Sequence, residues 1–311
     1  MTWDMDVADY LRLRRQLGAQ LRYSERLLHQ FAAHLTAAGI EAITVTEAIS
    51  WCSFLPAGST VVPATRASRR MEAVRGFATY MHALDPVNAV PPRGLFGAVV
   101  HRPTPYIFSP AEITAVIHAA TTLVGGTRAQ TYPVLFSLLA VTGLRVGEAL
   151  ALDRATVDLD AGVLLISRGK GRHPRLVPLH PTATAALERY AHWRGDLPHG
   201  RGPAFFTDPD GERLKYMTVR DNWVQASTAA GVRTAAQHPR MHDLRHAFAV
   251  NTLLGWYRDG VDVAEKMPAL TTYLGHSDPA NTYWYLSAVP ELLAYAAARL
   301  GNATTRFPVE S

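Results

Sequence analysis

His242-Asp243-Leu244-Arg245-His246, then Leu274-Gly275-His276, then Tyr285 mark the last third of the 311-residue chain, and Thr142-Gly143-Leu144-Arg145-Val146-Gly147-Glu148 places Arg145 100 residues before Arg245. Two arginines, two histidines and a tyrosine in this order carry the residue types that phosphodiester chemistry needs. A phosphodiester under in-line attack gathers negative charge on its non-bridging oxygens, so a site without metal requires fixed cationic donors aimed at them. Arginine suits this better than lysine, because its planar guanidinium stays charged and offers paired donors. A tyrosine hydroxyl, whose ordinary pKa is about 10, becomes a nucleophile when cationic neighbours favour the phenolate. The leaving oxygen needs a proton, which a histidine or a lysine can donate. Exchange of a phosphodiester for a phosphotyrosine keeps an ester bond, so a hydroxyl can reverse the step without ATP.

These motifs resemble those of the tyrosine recombinase, or phage integrase, family. The resemblance implies a site-specific DNA recombinase that cuts and rejoins strands through a 3′-phosphotyrosyl intermediate, with no metal, ATP or other cofactor. It implies that Arg145 is the first phosphate-binding arginine, buttressed by Glu148, and that Arg245 is the second. His242 precedes Arg245 by three residues, which places both on one helical face. By the same resemblance, His276 is the second catalytic histidine and Tyr285, nine residues beyond it, is the nucleophile. Lys170 lies in Ser167-Arg168-Gly169-Lys170-Gly171-Arg172-His173-Pro174-Arg175, between the apolar runs Val163 to Ile166 and Leu176 to Leu179, a pattern that reads as a β-hairpin tip. The family carries its general-acid lysine on such a hairpin. Of 31 lysines and arginines only Lys170, Lys215 and Lys266 are lysines, which leaves 28 arginines and makes a lysine at this turn more telling.

Competing readings sit beside these. His242 and His246 stand at i,i+4 as in a zinc pair, but Asp243 occupies the position where the metalloprotease motif has glutamate, so no metal site is expected. His246 reads instead as a packed or hydrogen-bonded helix residue. Tyr283 competes with Tyr285; the interval from His276 favours Tyr285, and residues two apart on a helix point to different faces. A catalytically silent DNA-binding protein of the same fold and a type IB topoisomerase are the alternatives from other classes. Filled catalytic positions argue against the first, and the short interval from Leu-Gly-His to tyrosine argues against the second.

Outward from the motifs, the expected architecture is mainly α with a small antiparallel β-sheet, in two domains. Residues 1–90 read as a helical, DNA-binding core-binding domain, with helical spacing from Tyr10 to Leu35, a short capped helix at Thr44 to Ile49 and another helix at Ala67 to Leu84. Arg66, Arg69, Arg70 and Arg75 there, with Arg168 and Arg172 on the hairpin, are candidates for phosphate contacts. A linker over 91–106 is marked by Pro91-Pro92, Arg93-Gly94 and Pro103-Thr104-Pro105. The catalytic domain spans 107–311. It opens at Ser109-Pro110-Ala111-Glu112, an N-cap with proline at N1, and its expected strands are Thr156 to Leu159, Val163 to Ser167 and Arg175 to Leu179. An alanine-rich helix, Glu291 to Leu300, follows the nucleophile and resembles the segment that family members pack into a neighbouring protomer.

Bulk properties agree with a polyanion partner: the net charge is +5 and the pI about 9.4. Cys52, the single cysteine, cannot form an intrachain disulfide. The first ten residues carry Asp4, Asp6 and Asp9, so no secretory signal or membrane association is expected, and a cytoplasmic, nucleoid-associated bacterial protein is implied. The resemblance further implies double-stranded DNA with paired recombination sites as partner, bound by a homo-tetramer or by a mixed assembly with sister recombinases. The Met267 to His276 stretch and Thr282-Tyr283-Trp284-Tyr285-Leu286 look more like mobile-element recombinases than like Xer-type dimer resolvases.

Overall fold

The computed structural model describes residues 3–19, 21–53, 63–97, 105–123, 126–167, 174–199, 202–276 and 278–288. The chain divides into two units, Met1–Pro103 and Thr104–Ser311, the first built around one buried apolar cluster and the second around two among the described residues.

In the first unit, α1 (Trp3–Gln16), α2 (Arg22–Ala37), α3 (Val45–Ser53) and α4 (Ala64–Leu84) enclose Val7, Leu28, Phe31, Val74 and Phe77. Each large apolar side chain buried in this way contributes roughly 1.5–3 kcal/mol. The single helical pattern expected from Tyr10 to Leu35 is broken into α1 and α2. Gly18 takes φ +82° and Leu21 φ +45°, left-handed conformations that end one helix and re-aim the next. Thr44 caps α3 through its hydroxyl, which accepts the Glu47 amide at 3.1 Å.

One of the expected phosphate contacts is corrected here. Arg70 is only 3 % exposed; its guanidinium lies 3.8 Å from the Trp51 ring centroid and donates to the Trp51 carbonyl at 2.6 Å. It is a structural residue, because cation–π stacking and a buried hydrogen bond use the charge inside the unit. Arg75 donates to the carbonyls of Pro91 and Pro92, each at 2.9 Å, and so ties the start of the segment read as linker to α4. Arg66 and Arg69 remain exposed on α4.

The second unit is mainly helical with a small antiparallel sheet. A capping box starts α5 (Pro110–Thr121), with the Ser109 hydroxyl accepting the Glu112 amide at 3.2 Å and Glu112 accepting the Ser109 amide at 2.8 Å. Then come α6 (Arg128–Thr142), a five-residue α7 (Val146–Leu150), a three-stranded sheet, α8 (Pro181–Gly195), α9 (Tyr216–Ala229), α10 (Met241–Arg258), α11 (Val263–Leu274) and α12 (Ala280–Ala288). The sheet order is β1-β2-β3, for β1 (Val157–Asp158), β2 (Val163–Ile166) and β3 (Arg175–Pro178), with Leu164 opposite Val177 and Ile166 opposite Arg175. Alternation buries Leu164, Ile166 and Val177 and exposes Leu165 and Leu176. Arg175 shares the inward face with Val177, so β3 carries a guanidinium into the protein.

The expected hairpin tip bearing Arg168, Lys170 and Arg172, and the expected helix from Glu291 to Leu300, lie outside the described residues. Among the described residues no helix is long and apolar enough to cross a membrane.

Candidate active site

Gly143 ends α6 in the left-handed region at φ +60°, at a point where a Cβ would sit 2.5 Å from Cδ1 of Phe248. Only glycine fits both demands. The chain then turns through Leu144 to Arg145, which is the N-cap of α7. Glu148, at the third position of that helix, accepts the Arg145 amide at 3.1 Å and Nη1 of the same arginine at 2.9 Å. One short helix start thus fixes both the backbone and the side chain of Arg145.

Asp243 does the matching work for α10. It is buried and accepts the Arg240 amide at 2.7 Å, fixing the helix start one turn before Arg245. Arg245 is 1 % exposed and reaches two carbonyls, Gly143 at 2.8 Å and Leu274 at 2.7 Å. Arg145 reaches the next carbonyl, Gly275, at 2.8 Å and approaches that of Leu274 at 3.5 Å. The last turn of α11 therefore gathers both arginines, since helix C-terminal carbonyls carry no intrahelical partner and attract cations.

A third arginine joins them. Arg175 donates to both oxygens of Glu148, at 3.1 and 2.8 Å, and through Nε to the Tyr273 carbonyl at 2.8 Å. Gly275, at φ +66°, leaves the room this needs, because a Cβ there would lie 2.7 Å from Nη1 of Arg175. Burial alone would raise the Glu148 carboxyl, but the Arg175 hydrogen bonds and charge, with the Arg145 contacts, outweigh it and hold the group below its ordinary value. Three guanidiniums against one carboxylate leave two positive charges at the site. That matches the charge that a phosphodiester acquires at a pentacoordinate transition state.

His276 follows Gly275 directly, and its Nδ1 lies 2.7 Å from the Thr282 hydroxyl, which is buried on α12 and touches the Thr271 hydroxyl at 3.0 Å. A histidine anchored through Nδ1 can donate to a phosphate oxygen through Nε2. On α12, Tyr285 is 2 % exposed and Tyr283 47 % exposed. The Tyr285 ring lies 6.4 Å from that of His276, at 25°, and its hydroxyl is 3.0 Å from Nδ1 of His246. His242 meets His246 edge to face at 4.8 Å. Although His242 keeps an open edge, crowding around its ring and then the Arg245 charge lower it to about 4. Burial, and then His242, lower His246 to about 4 as well. Burial and then the Arg145 charge bring Arg245 down to about 10, which leaves it charged at neutral pH.

The structure thus brings together Arg145, Glu148, His242, Arg245, His276 and Tyr285, while Lys170 lies outside the described residues. Sequence reasoning passes over Arg175 and Thr282, and it reads His246 as a packed or hydrogen-bonded helix residue without naming Tyr285 as its partner. Strand alternation with Val177 could have signalled Arg175, and a position one residue after Arg245 could have signalled His246.

Residues 107–291 match the phage integrase family. Over 308 residues the chain is 39 % identical to a Sinorhizobium fredii protein named "Putative integrase/recombinase y4rB", covering 96 % of this chain and 97 % of that one. It is 31 % identical over 298 residues to the tyrosine recombinase XerD of Mycobacterium leprae, covering 89 % of each. Among solved structures, the Tn1549 transposon integrase in complex with transposon right end DNA has the same fold, with a TM-score of 0.67 at 15 % identity over 97 % of this chain and 99 % of that one. With its family match and a relative of this identity along nearly its whole length, the chain belongs to the phage integrase family, the tyrosine-type site-specific recombinases.

Proposed function

We propose that this recombinase cuts and rejoins double-stranded DNA at paired sites through a phosphotyrosyl link to Tyr285, and that it integrates and excises a mobile element. Arg145 and Arg245 bind the non-bridging oxygens, His242 and His276 add hydrogen bonds, Glu148 positions Arg145, and Lys170 protonates the leaving 5′ oxygen. Arrival of the phosphate lets the two arginines exchange carbonyl partners for charged oxygens, a stronger class of hydrogen bond. The observation that carries the reading is the convergence of Arg145 and Arg245 on the Leu274 and Gly275 carbonyls, one residue from His276.

The mobile-element role rests on the integrase/recombinase of Sinorhizobium fredii, matched along nearly the whole chain. A tetramer on paired sites, of this chain alone or with sister recombinases, is the assembly that joins two cut duplexes, and it places the protein on the nucleoid. The XerD relative keeps resolution of chromosome or plasmid dimers as the second reading.

Covalent capture tests both. The protein is mixed with fragmented host DNA in EDTA and denatured in detergent, and the attached DNA is sequenced. Adducts at discrete sequences that vanish with Tyr285→Phe and persist with Tyr283→Phe support the nucleophile. Sites at the ends of an element favour integration; a single chromosomal site favours dimer resolution. Equal signal from all three proteins, or none despite DNA binding, defeats the catalytic reading.

A further inference from the structure

We infer that His246 is a further catalytic residue, the acceptor of the Tyr285 hydroxyl proton during strand cleavage. The inference deepens the proposed function and rests on Tyr285 being the nucleophile. Its basis is geometric: Nδ1 of His246 lies 3.0 Å from the Tyr285 hydroxyl, with ring centroids 5.5 Å apart at 61°. That is hydrogen-bonding distance to the reacting atom, as a proton acceptor requires. Trp284, 5.7 Å from the His246 ring, and His242, 4.8 Å from it, fix the imidazole from two sides.

The proton must leave as the new bond forms, because an ester oxygen on phosphorus is far less basic than a phenol. In the balanced step the Tyr285 Oη–P bond forms while the Oη–H bond breaks and its proton passes to Nδ1 of His246. The P–O5′ bond breaks, and the 5′ oxygen takes a proton from the general acid. Resealing reverses each transfer, and His246 returns its proton to the departing tyrosine. The acceptor form is ready at neutral pH, since burial and the neighbouring His242 keep the ring unprotonated. The charged and titratable groups facing it are His242, Asp243, Arg240 and Arg245 on its own helix and Tyr285 on α12.

The test separates nucleophile chemistry from general integrity. His246→Asn keeps an oxygen near the place of Nδ1 and can accept a hydrogen bond but not a proton; His246→Gln serves if that variant folds poorly. On DNA recovered by the covalent capture, single-turnover cleavage should fall by about 100-fold or more. The remaining rate should climb with pH as the phenolate fraction grows, while the unsubstituted protein shows no such climb. In the Tyr285→Phe background, where no tyrosine hydroxyl can react, joining of a 5′-hydroxyl strand to a 3′-(4-nitrophenyl phosphate) end should keep its rate when His246→Asn is added. In the free protein, long-range 1H–15N spectra of labelled histidine should show the His246 Nδ1 resonance move with Tyr285→Phe. Equal loss of cleavage and joining, or no loss of either, overturns the proposal. A wild-type protein that gives no Tyr285-dependent adduct overturns the functional reading and this step with it, even where the spectra report the contact.

Discussion

Arg175 grips Glu148 with both terminal nitrogens, at 3.1 and 2.8 Å, and this carboxylate is the same one that holds Arg145. Glu148 is 2 % and Arg175 10 % exposed at the side chain, so removal of Glu148 leaves the Arg175 charge without its ion partner, and removal of Arg175 leaves the buried Glu148 with Arg145 alone. Arg175→Ala should cost about 3–5 kcal/mol of stability in urea unfolding and should lower cleavage more than DNA affinity. Because the Glu148 carboxyl is held below its ordinary 4.5 when folded, its contribution is present above that value and is lost as pH falls through the folded one. Glu148→Gln should therefore flatten the acid limb of stability against pH; an unchanged limb would assign the acid sensitivity to other carboxylates.

His242 gives two pH effects of opposite sign. Its folded pKa of about 4 lies below the ordinary 6.5, so the unfolded chain binds the proton first, and stability drains as pH falls across that interval. A bound phosphate would favour the imidazolium and raise the same pKa. DNA affinity should thus strengthen on going from about pH 7 to about pH 5, and His242→Gln should remove that part of the gain. Fluorescence anisotropy at fixed salt reads it; an identical pH dependence in the variant would place the proton uptake elsewhere.

The legible part of this site was what residue type and interval announce, and the rest was set by backbone geometry. Arg145, Arg245, His276 and Tyr285 stand out because few other roles call for those residues in that order. Arg175 hid among the basic residues of a hairpin, and only the strand's alternation, with Val177 buried beside it, turns it inward. His246 read as a packed or hydrogen-bonded helix residue, but its partner was not legible because Tyr285 lies 39 residues away on another helix. The five-residue α7 is too short to show a period. Positive φ at Gly18 and Leu21 broke what apolar spacing presented as one helix. Arg70 was misread because a basic helix face gives no sign of which arginine folds back onto a tryptophan.

Gly275 combines a left-handed backbone with a missing side chain. Gly275→Ala would cost about 1–2 kcal/mol for the backbone alone, and its methyl would press on the Arg175 guanidinium from 2.7 Å. The carbonyls of Leu274 and Gly275, which hold Arg145 and Arg245, would shift with it. Cleavage should drop at least tenfold, a loss of about 1.4 kcal/mol or more at the transition state, with a smaller change in affinity. The Gly275→Ala, Arg175→Ala double variant should lose less stability than the sum of the two single losses; strictly additive losses would show that the two residues do not press on one another.

The arginines of α4 separate by burial. Arg66 and Arg69 are exposed, whereas Arg70 is enclosed against Trp51. A phosphate contact releases counterions, so each one lost should lower the slope of log affinity against log salt by about 0.9. Arg66→Gln and Arg69→Gln should each reduce the slope by that amount and leave unfolding unchanged. Arg70→Leu should do the reverse: the slope holds, and stability falls by about 1–3 kcal/mol because the Trp51 carbonyl loses its donor. A reduced slope for the folded Arg70→Leu protein would return Arg70 to the DNA-binding surface, and an unchanged slope for both exposed variants would remove α4 from it.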